Sequence, residues 1–207
     1  MKGINSLGIC CDVTDPEQVN YVVDKTTSKF GRLDIMACNA GGAIKPATYI
    51  PNGDIEEFIS TIKLNINGTY LSANAASKIM VDQRSGSIIV IGSIQGGLTN
   101  DKRFYEANGF HRGGASYQTT KDGIINFIRY LAMELRELAI NANRISLGMI
   151  PKPNSDSKMV DKCISLTALR IRGLPSELKG VVALLTSDAG SWITGQNFIV
   201  DGGFTIW

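Results

Sequence analysis

The chain has 207 residues, 43% of them hydrophobic, which is enough for one well-buried domain and too few for two comfortable ones. The formal net charge of +2, without any block of lysine and arginine, excludes a phosphate-backbone reader, so nucleic acid is not an expected partner. We therefore expect residues 1–207 to form a single domain.

Two further features narrow the setting of the protein. No apolar run reaches the roughly 20 residues of a membrane span, and residues 1–13 (MKGINSLGICCDV) lack the plan of a signal peptide. The four cysteines have no metal-ligand spacing; they are Cys10, Cys11, Cys38 and Cys163. We expect a cytoplasmic protein with reduced thiols, no membrane contact and no metal site.

Strands and helices alternate along the chain. Most predicted strands are continuous apolar runs, which is typical of strands covered on both faces. They are 6–13, 33–40, 87–93, 141–148 and 197–203.

The helices between these strands carry clear signals. Asp15 can cap the first helix, Pro16 suits its first position, and Gln18 completes a box-like cap. The apolar face of this helix is Val19, Val22, Val23, Thr26 and Phe30. The helix after Tyr117 repeats Ile124, Ile128, Leu131, Leu135 and Leu138. The alternation predicts an α/β fold, a Rossmann-like doubly wound parallel sheet with helices on both sides.

In such sheets, ligands bind outside the carboxyl ends of the strands. The predicted strand ends collect small, polar or turn-permitting residues, as a backbone approaching a ligand requires. These ends read Asp12-Val13, Asn39-Ala40-Gly41-Gly42, Gly92-Ser93, Leu147-Gly148-Met149 and Asp201-Gly202-Gly203.

Taken together, a series of short motifs resembles the short-chain dehydrogenase/reductase family across essentially the whole chain. The series is CDVTD (11–15), CNAGG (38–42), Asn65 of LNINGTY, IGS (91–93), Tyr117-xxx-Lys121, LGMI (147–150) and TGQNFIVDGG (194–203). Within the family, RFYEANGF (103–110), the gap of 24 positions from Ser93 to Tyr117 and the ending VDGGFTIW resemble the gluconate 5-dehydrogenase-like branch.

The resemblance implies an oxidoreductase that uses NAD or NADP to interconvert a secondary alcohol and a ketone, on a sugar acid or another hydroxylated small molecule. A carbonyl that gains hydride needs a proton donor and a second hydrogen bond at its oxygen, tasks that Tyr117 and Ser93 suit. A cation near Tyr117 favours the phenolate, and Lys121 lies one helical turn away. The implied catalytic set is Asn65, Ser93, Tyr117 and Lys121, with Asn65 supporting a proton relay through water.

The resemblance also implies a set of cofactor contacts. Asp12 and Val13 would meet the adenine ring, and Lys121 would also bind the nicotinamide ribose. The complete implied set is Asp12, Val13, Asn39, Ala40, Gly41, Tyr117, Lys121, Gly148 and Ile150. The family commonly forms dimers or tetramers through long helices that would here begin near Asn65 and Tyr117, so a homodimer or homotetramer is expected.

Considered singly, the same residues have ordinary interpretations. Tyr117 would be a half-exposed tyrosine, Lys121 a solvated lysine and Ser93 a strand-ending hydroxyl. Asn65 would be a helix residue with a local hydrogen bond. The one histidine, His111, lies in a glycine-rich stretch and is predicted to be a loop residue.

The chain departs from the family pattern in its first part. Family members open with a strand, a TGxxxGxG turn and a helix that hold the cofactor diphosphate, and this chain lacks that βαβ unit. Met1 aligns inside the family's second helix. Three explanations are open: a chain that begins late, a partner that supplies the unit, or a remnant whose strands have closed together.

A second departure lies after the fourth predicted strand. Leu147-Gly148 replaces the family's Pro-Gly, and Lys152 stands where a threonine usually follows, so nicotinamide contact at Ile150 is less well supported. Two alternative functions stay open. One is a non-catalytic relative that acts as a binding protein, and the other is a cofactor-independent isomerase or dehydratase at the same tyrosine.

Overall fold

The fold is built on a parallel sheet whose strands are Ile35–Cys38 (β1), Gly86–Ser93 (β2), Ile140–Leu147 (β3) and Asn197–Val200 (β4). They pair in the order β1-β2-β3-β4. This computed structural model describes residues 5–107 and 109–206. Expectations placed on Met1, Asn108 and Trp207 lie outside the described residues.

Seven α-helices connect the strands in the described part of the chain. They are Pro16–Phe30 (α1), Ile55–Ile62 (α2), Gly68–Gln83 (α3), Lys102–Ala107 (α4), Ala115–Leu135 (α5), Ser157–Leu166 (α6) and Lys179–Leu185 (α7). A π-helical turn, Lys63–Asn67, joins α2 to α3.

Helices cover both faces of the sheet. Side chains alternate along β2, so Ile88 and Val90 pack with α3 and α5 on one face, while Ile89 packs against Leu185 of α7 on the other. All three isoleucine and valine side chains are at most 1% exposed. Each such burial contributes roughly 1.5–3 kcal/mol to folding. The structure therefore confirms the predicted doubly wound parallel α/β fold.

The signals at the start of α1 are confirmed. The Asp15 carboxylate accepts hydrogen bonds from the backbone N–H groups of Glu17 and Gln18, and Pro16 is the first helical residue. The Gln18 side chain accepts from the N–H of Asp12 at 2.9 Å, so the box reaches back three residues beyond the cap. Val19 and Val23 form the buried face, which packs on Ala75 of α3.

The predicted strand at 6–13 is wrong: in the structure these residues pair with no strand among those described. Ile9, Cys11 and Val13 are partly buried while Cys10 and Asp12 are exposed, so the two-residue alternation of an extended segment is present. A strand also needs a neighbour for its ladder, and β1 does not pair with this segment. The remnant explanation, in which the strands close together, is therefore also wrong.

The last strand is shorter than predicted, because β4 ends at Val200 rather than near residue 203. The two oxygens of the Asp201 carboxylate accept from the N–H groups of Gly203 and Thr205 at 2.8 Å each. Gly202 and Gly203 have φ values of 65° and 79°, which glycine adopts without strain. These local bonds replace the ladder and turn the chain.

Candidate active site

The carboxyl end of β2 brings Ser93 against the first turn of α5. Ser93 ends the strand in an extended conformation, and its hydroxyl accepts from the N–H of Gln95 at 3.2 Å. The same side chain lies close enough to Tyr117 to lower the pKa of its phenol. The two groups that the sequence assigned to the substrate oxygen therefore lie together.

Lys121 lies one turn further along α5, at the buried side of the tyrosine. Its Nζ atom is 5.5 Å from the centroid of the Tyr117 ring and donates to the carbonyl oxygen of Ile91 at 3.3 Å. The residue is only 6% exposed. Burial, reinforced by the charge of Arg144, lowers the pKa of Lys121 to about 8. Lys121 is therefore a buried cation at neutral pH and not a solvated surface lysine.

The pKa of Tyr117 moves in the opposite direction to the expectation. Burial raises the pKa above the usual value of a phenol, while the hydrogen bond with Ser93 and the charge of Arg144 oppose this rise. The cause is removal of the phenol from water, which penalises the charged phenolate more than the nearby cation favours it.

Asn65 anchors the loop that follows β1. Its side-chain amide donates to the carbonyl oxygens of Gly42 and Thr61, and its Oδ1 atom accepts from the N–H of Gly42 at 2.9 Å. A Cβ atom on Gly41 would lie 2.7 Å from Asn65 Oδ1 and 3.7 Å from Lys121 Nζ. The Asn65 side chain is therefore held between the loop after β1 and the Tyr117-Lys121 pair.

The helix containing Asn65 begins earlier than expected. It starts at Ile55, and Asn65 lies in the π-helical turn where α2 passes into α3. A π-helical turn inserts an extra residue into a helix and is frequent at functional sites. Here the 1% exposed Asn65 bonds both to Gly42 in the loop after β1 and to Thr61 of its own helix.

A cavity of about 400 Å³ opens beside Ser93. Its wall combines polar groups with aromatic rings, including Gln95, Asn100, Phe104 and Phe204. Asn100 is 5% exposed and donates to Gln95 Oε1, so this part of the wall is fixed. Because the cavity adjoins Ser93, it is the natural place for the carbonyl or alcohol of a substrate.

A second cavity, of about 180 Å³, lies between the extended segment 9–13, β1 and α3. Val13, Asn39 and Ala40 line it together. Asp12 is exposed, does not line this cavity, and uses its carboxylate to accept from the N–H of Thr14 at 2.9 Å. The structure therefore groups three of the predicted cofactor contacts here, with Gly41 close to Lys121.

Gly148 and Ile150 belong to the other side of the site. Gly148 lines the cavity at Ser93, and a Cβ atom there would lie 2.5 Å from Asp201 Cα, so only glycine fits. Ile150 lines a separate cavity of about 240 Å³ with Lys152 and Cys163. The segment after Lys152 contains α6, whose Leu166 lines part of the Ser93 cavity.

Arg112, a polar residue before Tyr117, contacts Tyr49. The guanidinium carbon of Arg112 lies 4.1 Å from the Tyr49 ring centroid, and the Arg112 carbonyl accepts from the Tyr49 hydroxyl. His111 lies in a loop, as predicted, and is exposed.

Sequence reasoning missed two residues near the site. Arg144 on β3 is fully buried and donates to the carbonyl oxygen of Ser93 at 2.8 Å. Glu57 on α2 is 3% exposed and accepts from the hydroxyl of Ser116, the residue before Tyr117. Arg144 had a signal, because a charged residue inside a buried strand is uncommon. Glu57 resembles an ordinary first-turn helix acid.

Residues 5–107 and 109–206 contain neither a candidate metal site nor a candidate membrane-spanning helix. These residues contain no group of three or more histidine, cysteine or acidic side chains that could hold a metal ion. No helix in the same residues combines the length and apolar character needed to cross a bilayer.

Comparison with known proteins places the chain in a family. A family model described as Enoyl-(Acyl carrier protein) reductase matches residues 2–205. A 3-oxoacyl-[acyl-carrier-protein] reductase from Synechocystis is 30% identical over 99% of this chain and 78% of its own length. A sorbose reductase from Candida albicans is also 30% identical, over 98% of this chain and 70% of its own length.

The fold agrees with these sequence matches. A short-chain dehydrogenase from Leptospira borgpetersenii with bound NAD+ superposes with a TM-score of 0.84 and 32% identity, covering 95% of this chain and 74% of that one. The protein belongs to the short-chain dehydrogenase/reductase family of oxidoreductases.

Proposed function

We propose that this chain is an NAD- or NADP-dependent oxidoreductase that interconverts a secondary alcohol and a ketone. The observation that carries the proposal is the position of Lys121 Nζ, 5.5 Å from the Tyr117 ring centroid, with Ser93 beside this pair and a cavity next to Ser93. The relatives named as reductases and the related structure with bound NAD+ support the same reaction class.

The residues present fit the two ends of a dinucleotide. Val13, Asn39 and Ala40 would hold its adenosine side in their shared cavity, with the exposed Asp12 at the rim. Gly41 and Lys121 would hold the nicotinamide ribose, and Gly148 and Ile150 would flank the nicotinamide. When bound, the cofactor supplies the hydride donor or acceptor.

The protein's own groups manage the proton and the oxygen. In reduction, the carbonyl carbon gains hydride while the Tyr117 phenol gives its proton to the oxygen, leaving a phenolate. Ser93 donates a hydrogen bond to the same oxygen and holds it in place. The Lys121 cation favours the phenolate electrostatically. Asn65 would support its reprotonation through water.

The cofactor diphosphate has no recognisable cradle in this sequence, since TGxxxGxG is absent. We propose that the outer edge of β1, which pairs with no strand among the described residues, is where a further segment supplies that cradle. An unpaired parallel edge with a half-exposed Ile35 (44%) is a surface on which another strand can pair.

We further propose a hydroxylated substrate such as a sugar acid. The polar wall of the Ser93 cavity, with Gln95, Thr99 and Asn100, can hydrogen-bond several hydroxyl groups. The match to a sorbose reductase is consistent with this substrate class.

A homodimer or homotetramer in the cytoplasm completes the proposal, with residues 1–207 acting as one domain. Large side chains on the outer faces of α3 and α5 are exposed: Tyr70 by 51%, Tyr130 by 55% and Met133 by 60%. Their burial against a second copy would remove apolar surface from water. Light scattering should give twice or four times the mass of 22.3 kDa, and the monomer mass would contradict this assembly.

Replacement of the tyrosine tests the catalytic assignment. Tyr117→Phe removes the proton donor while keeping the ring, so turnover should fall by about 100-fold or more. The measurement is nicotinamide absorbance with a panel of ketoses and sugar acids, together with cofactor binding, which should persist. Tyr130→Phe on the same helix is the matched control and should leave turnover unchanged. Equal turnover in Tyr117→Phe and the wild type would refute the role of Tyr117.

A further inference from the structure

Arg144 is a buried charged group that the proposed reaction does not use. This arginine sits in the middle of the central strand β3, with its backbone paired opposite Val90 of β2. Its side chain is 0% exposed. A charged group in such a place is costly unless it is compensated, so its presence needs a physical reason.

Two glycines make room for the arginine. A Cβ atom on Gly92 would lie 2.0 Å from Arg144 Nε, and one on Gly96 would lie 2.7 Å from its NH2 nitrogen. The Gly96 position also lies against the carbonyl oxygen of Lys121, at 2.4 Å from the same hypothetical atom. The guanidinium is therefore held between the end of β2 and the α5 turn that carries Tyr117 and Lys121.

The guanidinium is tied to Ser93 but has little compensation of its own charge. Its NH2 nitrogen donates to the Ser93 carbonyl at 2.8 Å, and NH1 is 3.5 Å from Asn197 Oδ1. Within the described residues, Nε has no hydrogen-bond partner, and no carboxylate lies within ion-pair distance of Arg144. The positive charge of the guanidinium is therefore not neutralised by a contacting carboxylate, and it acts on the groups around it.

We propose that Arg144 is a positioning residue for the reaction, which fixes Ser93 through its carbonyl and places a buried positive charge against the α5 turn that carries Tyr117 and Lys121. The inference rests on the proposed function for its catalytic meaning. Its structural content is independent of turnover, because it concerns the orientation of Ser93 and the ionisation of Tyr117 in the free protein.

The charged groups around the phenol come from three packed elements, α5, β3 and α2. Lys121 comes from α5 itself, Arg144 from β3, and Glu57 from α2, where it accepts from Ser116. Asp122 acts on Arg144 and not on Tyr117, as its charge favours the guanidinium. Burial lowers the pKa of Arg144 to about 10, so the guanidinium is charged throughout the neutral range.

The effect on the tyrosine has a defined sign. The charge of Arg144 lowers the pKa of Tyr117 and so offsets part of the rise caused by burial. Removal of that charge should therefore raise the pKa further, which requires a higher pH to form the phenolate.

The test is a titration of the Tyr117 phenolate by its near-ultraviolet absorbance, obtained as the difference between each protein and the same protein carrying Tyr117→Phe. Arg144→Met and Arg144→Gln remove the charge, and Arg144→Lys keeps it. We expect the two neutral variants to titrate at a higher pH than the wild type and Arg144→Lys to titrate close to it. Arg129→Met, which removes an exposed arginine of α5, is the charge-matched control and should change nothing.

Several results would overturn the proposal. Equal Tyr117 titration in the wild type and the folded neutral variants would show that the charge does not reach the phenol. Failure of all three Arg144 variants to fold would make the residue structural, whereas folding of Arg144→Lys alone would support a need for the charge. Where the protein turns over a substrate, the rise of alcohol oxidation with pH should shift upward in Arg144→Gln by the same amount.

Discussion

At the scale of single residues, the site contains charged groups whose burial is energetically unfavourable. Lys121 and Arg144 are both buried cations, and burial lowers the pKa of each. Neither is paired with a carboxylate within ion-pair distance among the described residues. Such clusters of perturbed groups in a cleft are typical of functional sites, because chemistry requires charges where folding disfavours them.

The lowered pKa of Lys121 reflects that cost. Its pKa falls from 10.5 to about 8, so the unfolded chain binds this proton more tightly than the folded chain does. Lys121→Met should remove a penalty of about 3 kcal/mol at neutral pH, less about 1 kcal/mol for the lost bond to the Ile91 carbonyl. Denaturant unfolding should therefore show a gain of roughly 2 kcal/mol, alongside loss of turnover.

The pH dependence of this gain follows from the direction of the shift. Between about pH 8 and 10.5 the unfolded wild-type chain holds the proton that the folded chain has lost, so wild-type stability rises with pH. The advantage of Lys121→Met should shrink across this window. Lys78→Met, at an exposed position of α3, is the control and should show neither effect. A variant less stable than the wild type at neutral pH would contradict the assigned burial cost.

At the scale of elements, the π-helical turn Lys63–Asn67 connects the helical segment of α2 and α3 to the loop after β1. Asn65 makes three hydrogen bonds there, and two of them hold Gly42. The loop after β1 would otherwise leave those backbone groups without partners in the protein.

Asn65→Ala should weaken both the fold and the site. Loss of its hydrogen bonds should cost about 2–3 kcal/mol of unfolding free energy, because buried backbone groups of Gly42 and Thr61 lose their partners. Nicotinamide affinity should also fall, since the loop containing Gly41 borders Lys121. Asn67→Ala, on the exposed side of the same turn, is the control and should change stability little. Equal denaturation midpoints for Asn65→Ala and the wild type would oppose this role.

The same scale explains what could be predicted from sequence. The strands at 33–40, 87–93 and 141–148 were predicted from the local pattern of their residues, although β1 is mostly exposed and β3 contains the polar residues Asn143 and Arg144. The segment 6–13 has a similar composition but forms no strand, since pairing depends on a neighbour that local sequence does not reveal. The register that brings Arg144 under Ser93 is likewise a property of two strands and not of either one.

The site divides in the same way. Ser93, Tyr117 and Lys121 were assigned through the motif series that resembles the family, and the structure brings them together. The net direction of the Tyr117 pKa was not predictable, because it depends on how much water the fold excludes. Glu57 was not predictable either, because its contact with Ser116 joins helices 59 residues apart in sequence.

At the scale of the whole molecule, the sheet places two cavities on the carboxyl side of its strands, one beside Ser93 and one beside β1. The first suits a substrate and the second suits the adenosine side of a dinucleotide. Between them lies the cluster of Asn65, Gly41 and Lys121. The proposed oxidoreductase function therefore requires a nicotinamide cofactor that spans from one cavity to the other.

The measurement that tests this claim most directly is titration of the purified chain with NADH and with NADPH, following nicotinamide fluorescence. We expect saturable binding of NADH, NADPH or both to the wild-type protein. Binding should be retained in Tyr117→Phe, because Tyr117 would act in the chemical step. Binding should be weaker in Lys121→Met, because Lys121 would hold the ribose. A folded wild-type protein whose fluorescence titration shows no saturable binding of either nucleotide would contradict the proposed oxidoreductase function.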